Sequence, residues 1–216
     1  MTPLLVATRS AGKQAEFRSL LAHVPVTIVV PDELGLAESA EEGGLETHPT
    51  FEGNARAKAH WFARSSGLPT LADDSGLEVD ALHGAPGVHS KRFAGREGPD
   101  ALVSEANNAK LLDLLRNVPD AERTARYRCV LVLDVPAGEK SVEVVAAGSV
   151  EGRILTGPRG RAGFGYDPLF FSDELGMTFG EASREAKDAV SHRGRAITAL
   201  LATGMAWLNG YPKAAD

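Results

Sequence analysis

The feature that most constrains the fold is the run of residues 26–30, in which every residue is β-branched. Because this run shows no alternation of polar and apolar residues, it predicts a strand that is buried on both faces and ends at Pro31. Strands of that kind lie in sheets covered by helices, which indicates an α/β fold. Residues 4–8 predict an earlier strand, and a helix is predicted after it by residues at helical spacing: Phe17, Leu20, Leu21 and Val24.

Later segments extend this prediction. A helix is expected from residue 51 to about Gly67, because apolar residues share one face: Phe51, Ala55, Ala59, Phe62 and Ala63. Residues 126–135 and 140–152 predict a hairpin with a four-residue turn. A final helix, capped by Ser191, has an apolar face: Ile197, Leu200, Leu201 and Leu208. We therefore predict one domain over residues 1–216, with a mixed sheet in two lobes flanked by helices and a central substrate cleft.

The charge balance limits the partners of the chain. Its 216 residues include 23 Lys and Arg against 29 Asp and Glu, a net charge of −6. Because nucleic-acid binders usually present a basic face, we expect no nucleic-acid partner, and any phosphate must be met by local cations. The single cysteine, Cys129, excludes an internal disulfide, and no run of about 18 apolar residues predicts a membrane span. We expect a cytoplasmic protein without a membrane partner.

The first candidate site is the turn between the first strand and the first helix: Thr8, Arg9, Ser10, Ala11, Gly12 and Lys13. Backbone N–H groups at a helix start, the positive end of the helix dipole and a lysine ammonium together suit a phosphate. The turn is not a Walker A loop, because that motif needs Gly in place of Ala7 and Ser or Thr in place of Gln14. An ordinary turn with a solvated lysine is the alternative.

The second candidate is the pair Asp73 and Asp74, which follows an apolar strand. Neighbouring strand residues point to opposite faces, so only one of the two carboxylates can serve a given site if the strand continues. That carboxylate can bind Mg²⁺ or hold a water for attack on phosphorus, with Glu41 or Glu42 of the acidic loop as a second ligand. The alternatives are a plain Asp-Asp-Ser-Gly turn and glutamates that are merely solvated.

A third candidate set combines a glycine-framed aromatic loop with later charged residues: Phe164, Gly165, Tyr166, Asp167, Lys187, His192 and Arg193. An aromatic face can stack on a nucleobase, and glycine lets the backbone approach a ligand closely. Asp167 can accept from a base N–H, whereas Lys187 and Arg193 can donate to phosphate or to a base carbonyl. The alternative is a Gly-rich turn with two core aromatics and an exposed helix start.

The order of the motifs is more specific than any one of them. The chain contains T-x-x-x-G-K from Thr8, F-E-G-N-A from Phe51 with Lys58 beyond it, D-D-S-G-L from Asp73, G-A-P-G-V from Gly84, F-G-Y-D-P from Phe164 and S-H-R from Ser191. In this order they closely resemble the inosine/xanthosine triphosphate pyrophosphatase (Ham1-like) family, over roughly residues 3–208.

This resemblance implies a homodimeric, Mg²⁺-dependent enzyme that hydrolyses the deaminated purine triphosphates ITP, dITP and XTP to the monophosphate and pyrophosphate. It implies that Asp74 binds metal and activates water, that Glu41 is the metal glutamate and that Ser75 contacts the substrate. It implies substrate contacts in the first turn and base contacts in the aromatic loop, at Lys187, His192 and Arg193. A pyrophosphatase for pyrimidine triphosphates and an inactive nucleotide binder are the alternatives.

Three departures from the family pattern affect the site. Ser10 stands where the family usually has Asn, and Gly53 stands where it has Glu. An apparent insertion over residues 46–49 blurs the alignment of the acidic loop. Glu42 and Glu46 therefore remain alternatives to Glu41 as the metal ligand.

Overall fold

The computed structural model describes residues 2–137 and 140–203. Its strands are β1 (Thr2–Val6), β2 (Val26–Val29), β3 (Thr70–Val79), β4 (Thr124–Ala137), β5 (Lys140–Ile154), β6 (Phe170–Ser172) and β7 (Met177–Thr178). Its helices are α1 (Ala11–Leu20), α2 (Ala40–Gly43), α3 (Phe51–Ser66), α4 (Asp100–Leu115), α5 (Arg184–Val190) and α6 (His192–Ala202).

The strands of the described residues form a seven-stranded sheet in the order β2-β1-β3-β4-β5-β6-β7. β1 pairs in parallel with both β2 and β3, whereas β6 pairs antiparallel with β5 and with β7. The sheet is therefore mixed, and the prediction of an α/β fold with a mixed sheet and flanking helices is confirmed. No helix in the described part of the chain has the length and apolar character needed to span a membrane.

The chain divides into two compact units. The first comprises Met1–Asp74, Cys129–Gly148 and Ala196–Asp216, and the second comprises Ser75–Arg128 and Ser149–Arg195. In the first unit, α3 buries the face that its sequence predicts, against Leu5, Ala72 and Val132 of the sheet. The central substrate cleft remains a prediction.

The core of the second unit combines aliphatic and aromatic side chains. Leu111 and Leu115 of α4 pack with Leu77 and Val79 of β3. Tyr127 of β4 lies against the rings of Phe170 and Phe179, with centroid distances of 4.8 and 6.0 Å. These residues support the loop that contains the predicted base contacts.

The ends of α3 follow from its sequence. The Thr50 side chain accepts a hydrogen bond from the Gly53 N–H (3.1 Å), which caps the first turn, and Gly67 ends the helix with a φ of +70°. At the other end of the chain, the Ser191 hydroxyl accepts from the Gly194 N–H and caps α6, as predicted. The sequence did not predict α5, β6 or β7. Gly138 and Glu139 of the hairpin turn, and Leu208, lie outside the described residues.

Two predictions about strands are wrong. β2 is an edge strand of the described sheet, in which Thr27 is exposed and Ile28 and Val29 are half-buried. Its β-branched composition therefore reflects a preference for the extended backbone and not burial on both faces. The acidic turn expected after residue 72 is also absent, because β3 continues through Asp73 and Asp74 as far as Val79.

Candidate active site

The adjacent carboxylates of β3 serve different helices. Both are buried, Asp73 at 1% and Asp74 at 6% exposure. Asp73 forms an ion pair with Lys13 of α1 (3.0 Å), whereas Asp74 accepts a hydrogen bond of 2.8 Å from the Asn54 side-chain amide of α3. This division is what the alternation of a continuous strand requires. It assigns Asp73 to holding Lys13 and leaves Asp74 as the candidate reactive group.

Lys58 of α3 connects this pair to the acidic loop. Its ammonium donates to the Asp73 carbonyl oxygen (2.5 Å) and to the Glu46 carboxylate (2.6 Å), and it lies 4.0 Å from Asp74 Oδ1. Burial by itself lowers the pKa of Lys58, but the three neighbouring carboxylates outweigh it and raise that pKa. The ammonium is therefore charged at neutral pH.

The Asp74 carboxylate lacks full compensation for its negative charge. Burial raises the pKa of Asp74, and this effect exceeds the lowering by Lys58, Lys13 and the Asn54 hydrogen bond. A buried carboxyl of raised pKa in such a cluster is a functional-site candidate, because it can accept a proton or bind a cation.

The composition of this cluster fits Mg²⁺. Three carboxylates, those of Glu46, Asp73 and Asp74, face the two ammonium groups of Lys13 and Lys58, which leaves one net negative charge. In the described part of the chain, no three His, Cys, Asp or Glu residues are grouped so that they could hold a metal by themselves. Mg²⁺ commonly takes only one or two protein carboxylates and completes its shell with water and substrate phosphates. Asp74 and Glu46 meet that requirement.

The acidic loop sends its glutamates in different directions. Glu42 binds Arg9 through two hydrogen bonds of 2.8 Å, and Glu41 accepts one of 3.4 Å from the Trp61 indole N–H. Glu46 shares Lys58 with Asp74. The geometry therefore replaces Glu41 by Glu46 as the second candidate ligand. Sequence reasoning chose wrongly because residues 46–49 blurred the alignment.

The structure also accounts for Gly53. A Cβ atom at this position would lie 2.8 Å from His48 Cβ and 3.1 Å from Thr50 Oγ1. The apparent insertion therefore packs against the first turn of α3 at a point where only glycine leaves enough space. Gly53 and His48 form one local adaptation.

The first turn has the geometry of a helix start. Ser10 stands at the N-cap position of α1 with an extended backbone, but its side chain makes no capping hydrogen bond, and its N–H lies 3.3 Å from the Thr8 hydroxyl. Ala11 and Gly12 open the helix, and no acidic residue occupies its first turn. The turn keeps the positive character that a phosphate requires. Arg9 is different, because its guanidinium binds the acidic loop.

In the second unit, Asp167 and Lys187 form a buried ion pair. Their side chains are 2.5 Å apart, and Asp167 also accepts from the Phe164 N–H (2.9 Å). The Lys187 ammonium lies 5.0 Å from the centre of the Phe164 ring. The pair thus joins α5 to the aromatic loop and places a cation beside an aromatic face.

Other members of the aromatic loop have supporting roles. The Tyr166 hydroxyl donates to the Ser90 carbonyl (2.8 Å), and burial raises the pKa of Tyr166. The Gly165 carbonyl accepts from the Asn108 side chain (3.0 Å). Gly163 has a φ of +73°, and a Cβ there would lie 2.0 Å from the Asp167 carboxylate. The loop therefore needs glycine where it passes Asp167.

The start of α6 supplies two more predicted residues. The His192 ring stacks on Tyr127 with a centroid distance of 4.7 Å and an angle of 10°. Arg193 is 1% exposed and donates to the Ser75 hydroxyl (2.9 Å). The second unit thus brings Ser75 and Arg193 together, and it holds His192 against an aromatic side chain.

Sequence reasoning did not assign roles to Asn54, Lys58 and Tyr127. Asn54 and Lys58 were noticed only as motif letters. Their signal was position, because both lie on the buried side of α3, at 0% and 8% exposure, where polar residues require partners. Tyr127 has no such signal in the sequence, because its position beside His192 depends on tertiary packing.

Fold and site together define an α/β protein with a buried acidic centre suited to hydrolysis. The model of the Ham1 family matches residues 4–203. The chain belongs to this family.

Relatives and solved structures agree with that assignment over nearly the whole chain. A dITP/XTP pyrophosphatase of Geobacter sulfurreducens is 49% identical over 207 residues, which are 96% of this chain and 98% of the relative. One of Shigella flexneri is 46% identical over 201 residues, covering 93% and 97%. A HAM1 protein of Coxiella burnetii has a TM-score of 0.79 at 34% identity and covers 95% of this chain and 100% of its own. A nucleoside-triphosphatase / dITP/XTP pyrophosphatase of Mycobacterium abscessus has a TM-score of 0.69 at 42% identity, covering 93% and 99%.

Proposed function

We propose that this protein hydrolyses the non-standard purine triphosphates ITP, dITP and XTP to the nucleoside monophosphate and pyrophosphate. The observation that carries the proposal is the buried Asp74 carboxylate, which has a raised pKa and is oriented by Asn54. The names of relatives that match this chain at 46–49% identity support the same activity. Removal of such nucleotides protects the cellular pool from deaminated purines.

Asp74 holds the attacking water and accepts its proton. The water oxygen forms a bond to the α-phosphorus, the bond from this phosphorus to the α–β bridging oxygen breaks, and pyrophosphate leaves. Lys13 and the N-terminus of α1 offset the charge on the phosphates, because catalysis of phosphoryl transfer is mainly positioning and electrostatic stabilisation. Asn54 keeps the Asp74 carboxylate in one orientation, with a hydrogen bond of 2.8 Å.

Asp74 and Glu46 are the residues that would hold Mg²⁺. When bound, this ion would neutralise phosphate charge and polarise the phosphoryl oxygens. Lys58 keeps both carboxylates ionised and close to each other before any cation arrives, because its ammonium contacts Glu46 and lies near Asp74.

Base selectivity is assigned to the second unit. Lys187 and Arg193 have only donor groups, so they match the O6 carbonyl of hypoxanthine and xanthine and have no acceptor for the amino group of adenine. A site built around donors rejects a ligand that leaves them unpaired. Phe164 supplies a face for stacking, Ser75 contacts the substrate next to Asp74, and Asp167 is the acceptor for a base N–H.

A substrate panel tests this function. Purified protein is assayed for pyrophosphate release from ITP, dITP, XTP, ATP, GTP, dUTP and dTTP, with and without Mg²⁺. We expect release from ITP, dITP and XTP only with Mg²⁺, and at least about tenfold less from ATP, since unpaired donors cost over 1 kcal/mol. Preference for dUTP or dTTP would support the pyrimidine alternative. Binding of ITP without turnover would support the inactive binder.

The assembly and location of the protein complete the proposal. We propose a homodimer in the cytoplasm, on the basis of the family resemblance and the absence of an internal disulfide. Light scattering coupled to size exclusion tests the assembly. A dimer would have about twice the chain mass of 22.8 kDa, whereas a particle of the chain mass itself would contradict it.

A further inference from the structure

Arg9 uses its whole guanidinium on the acidic loop. Nε and Nη2 each donate to the Glu42 carboxylate at 2.8 Å, Nη2 also donates to the Leu36 carbonyl at 2.9 Å, and Nη1 pairs with Asp32. The side chains of Arg9 and Glu42 are mostly buried, at 19% and 16% exposure. A two-bond arginine–carboxylate pair fixes distance and orientation together, which a single lysine contact does not.

The charges on both sides of this contact are settled. The hydrogen bond to Glu42 raises the pKa of Arg9, and Glu42 and Asp32 add attraction to it. With four acceptor atoms around it, the guanidinium is committed to residues 32–42 and turned away from the part of the turn that suits phosphate. Its neighbour Lys13 is committed to Asp73.

The segment that Arg9 binds leads directly to Glu46. Glu42 lies in the short helix α2, and its carbonyl accepts from the Leu45 N–H (3.1 Å), so the chain turns tightly before Glu46. Beyond Glu46, the His48 N–H donates to Asn54 Oδ1 (2.8 Å). Glu46 is therefore held between two anchors, one at Glu42 and one at His48.

The second anchor already belongs to the catalytic cluster. The same Asn54 amide that accepts from His48 donates to Asp74. The first anchor, by contrast, depends on Arg9. Without it, Glu46 would be tethered from one side only, and its carboxylate would sample positions away from Lys58 and Asp74.

We propose that Arg9 is a positioning residue that fixes the Glu46 segment by binding Glu42, and so sets the affinity for a divalent cation without contacting the nucleotide. This inference rests on the proposed function for the role of the cation. It reassigns Arg9 from the substrate-binding set that the family resemblance implies.

Two measurements without nucleotide test the inference. Binding of Mn²⁺, used as the probe cation, is measured by calorimetry, and amide hydrogen exchange is measured for residues 40–49. The variants are Arg9→Gln and Glu42→Gln, with Arg18→Gln as the control. Arg18 also pairs with a glutamate of the acidic loop, Glu33 (2.8 Å), but both side chains are about half exposed.

Arg9→Gln and Glu42→Gln should each weaken Mn²⁺ binding by roughly 10- to 100-fold, the range for residues that orient metal ligands, and speed exchange in residues 40–49. Arg18→Gln should change neither. The double variant should be no weaker than either single variant, because both remove the same contact. Thermal unfolding of each variant shows that the fold is retained, and Arg9→Lys serves as a milder change if Arg9→Gln fails to fold.

The opposite results are equally clear. Unchanged Mn²⁺ affinity in Arg9→Gln and Glu42→Gln would overturn the inference, as would a raised KM for ITP in Arg9→Gln alone with normal KM in Glu42→Gln. If wild-type protein lacked pyrophosphatase activity but the two variants still lost Mn²⁺ binding, the proposed function would fail and the role of Arg9 would stand.

Discussion

At the scale of single residues, Asn54 shows why the site needs an amide. Its side chain is fully buried and has partners with opposite requirements, because Asp74 needs a donor and the His48 N–H needs an acceptor. An amide supplies both, whereas an ionised carboxylate supplies only acceptors. Asn54 therefore links the orientation of Asp74 to the path of the acidic loop without adding charge to a cluster that is already negative.

Replacement of Asp74 by Asn tests its role as the base. The substitution keeps the shape of the side chain but removes the charge that accepts a proton, so kcat for ITP should fall by about 10² to 10⁴. Nucleotide binding should remain measurable by calorimetry, because Lys13 and the second unit are unchanged. Asp80→Asn is a suitable control, since Asp80 pairs with Arg126 on the surface of the second unit. Near-normal turnover in Asp74→Asn would contradict the assignment.

At the scale of elements, the aromatic loop depends on one close approach. Gly163 and Gly165 both have a positive φ, of +73° and +64°, but a Cβ at Gly165 would meet nothing within 4 Å. The two positions therefore share the strain of a side chain in this conformation and differ in contact with Asp167. Comparison of the two isolates the value of the buried Asp167–Lys187 pair.

Alanine substitutions at these glycines should have unequal effects on stability. Gly165→Ala should lower the free energy of unfolding by about 1 to 2 kcal/mol, from backbone strain alone. Gly163→Ala should lower it by a further roughly 3 kcal/mol, because displacing Asp167 leaves a buried charge uncompensated. Chemical denaturation monitored by circular dichroism measures both. Equal losses in the two variants would show that the ion pair adjusts to the added methyl group.

At the scale of the whole molecule, ion pairs between elements predict the response to acid. In the first unit, Arg56 of α3 hydrogen-bonds the Glu143 carboxylate of β5 and holds its pKa below the usual value, with His60 adding to the effect. The folded pKa is thus lower than the unfolded value of about 4.3, so the pair stabilises the fold above that pH. This contribution is lost as the pH falls through the folded pKa.

Glu143→Gln should therefore melt at a lower temperature than the wild type at pH 7. As the pH is lowered from 7 to below about 4, the difference in Tm should shrink, because the wild type loses by protonation what the variant lacks throughout. Differential scanning calorimetry at several pH values measures this. Glu97→Gln is a control, because Glu97 is exposed. A difference in Tm that is constant with pH would mean that the charge of Glu143 does not stabilise the fold.

The sequence predicted elements with local patterns well. The buried face of α3, the strands of the hairpin and the cap at Ser191 all follow from residues close together in the chain. It failed where long-range packing decides, as in the edge position of β2, the contact of Tyr127 with His192 and the choice of Glu46 over Glu41. The last error has a physical cause, because residues 46–49 change the path of the loop while leaving several glutamates in similar local sequence.

The alternation at Asp73 and Asp74 also has a consequence for how the gene can change. One strand position serves Lys13 of α1, and the next serves Asn54 of α3. Loss or gain of one codon within β3 before this point would exchange the two faces and turn each carboxylate toward the wrong helix. The acidic loop has accommodated extra residues with a single glycine at position 53, whereas β3 is expected to accept substitutions but not changes in length.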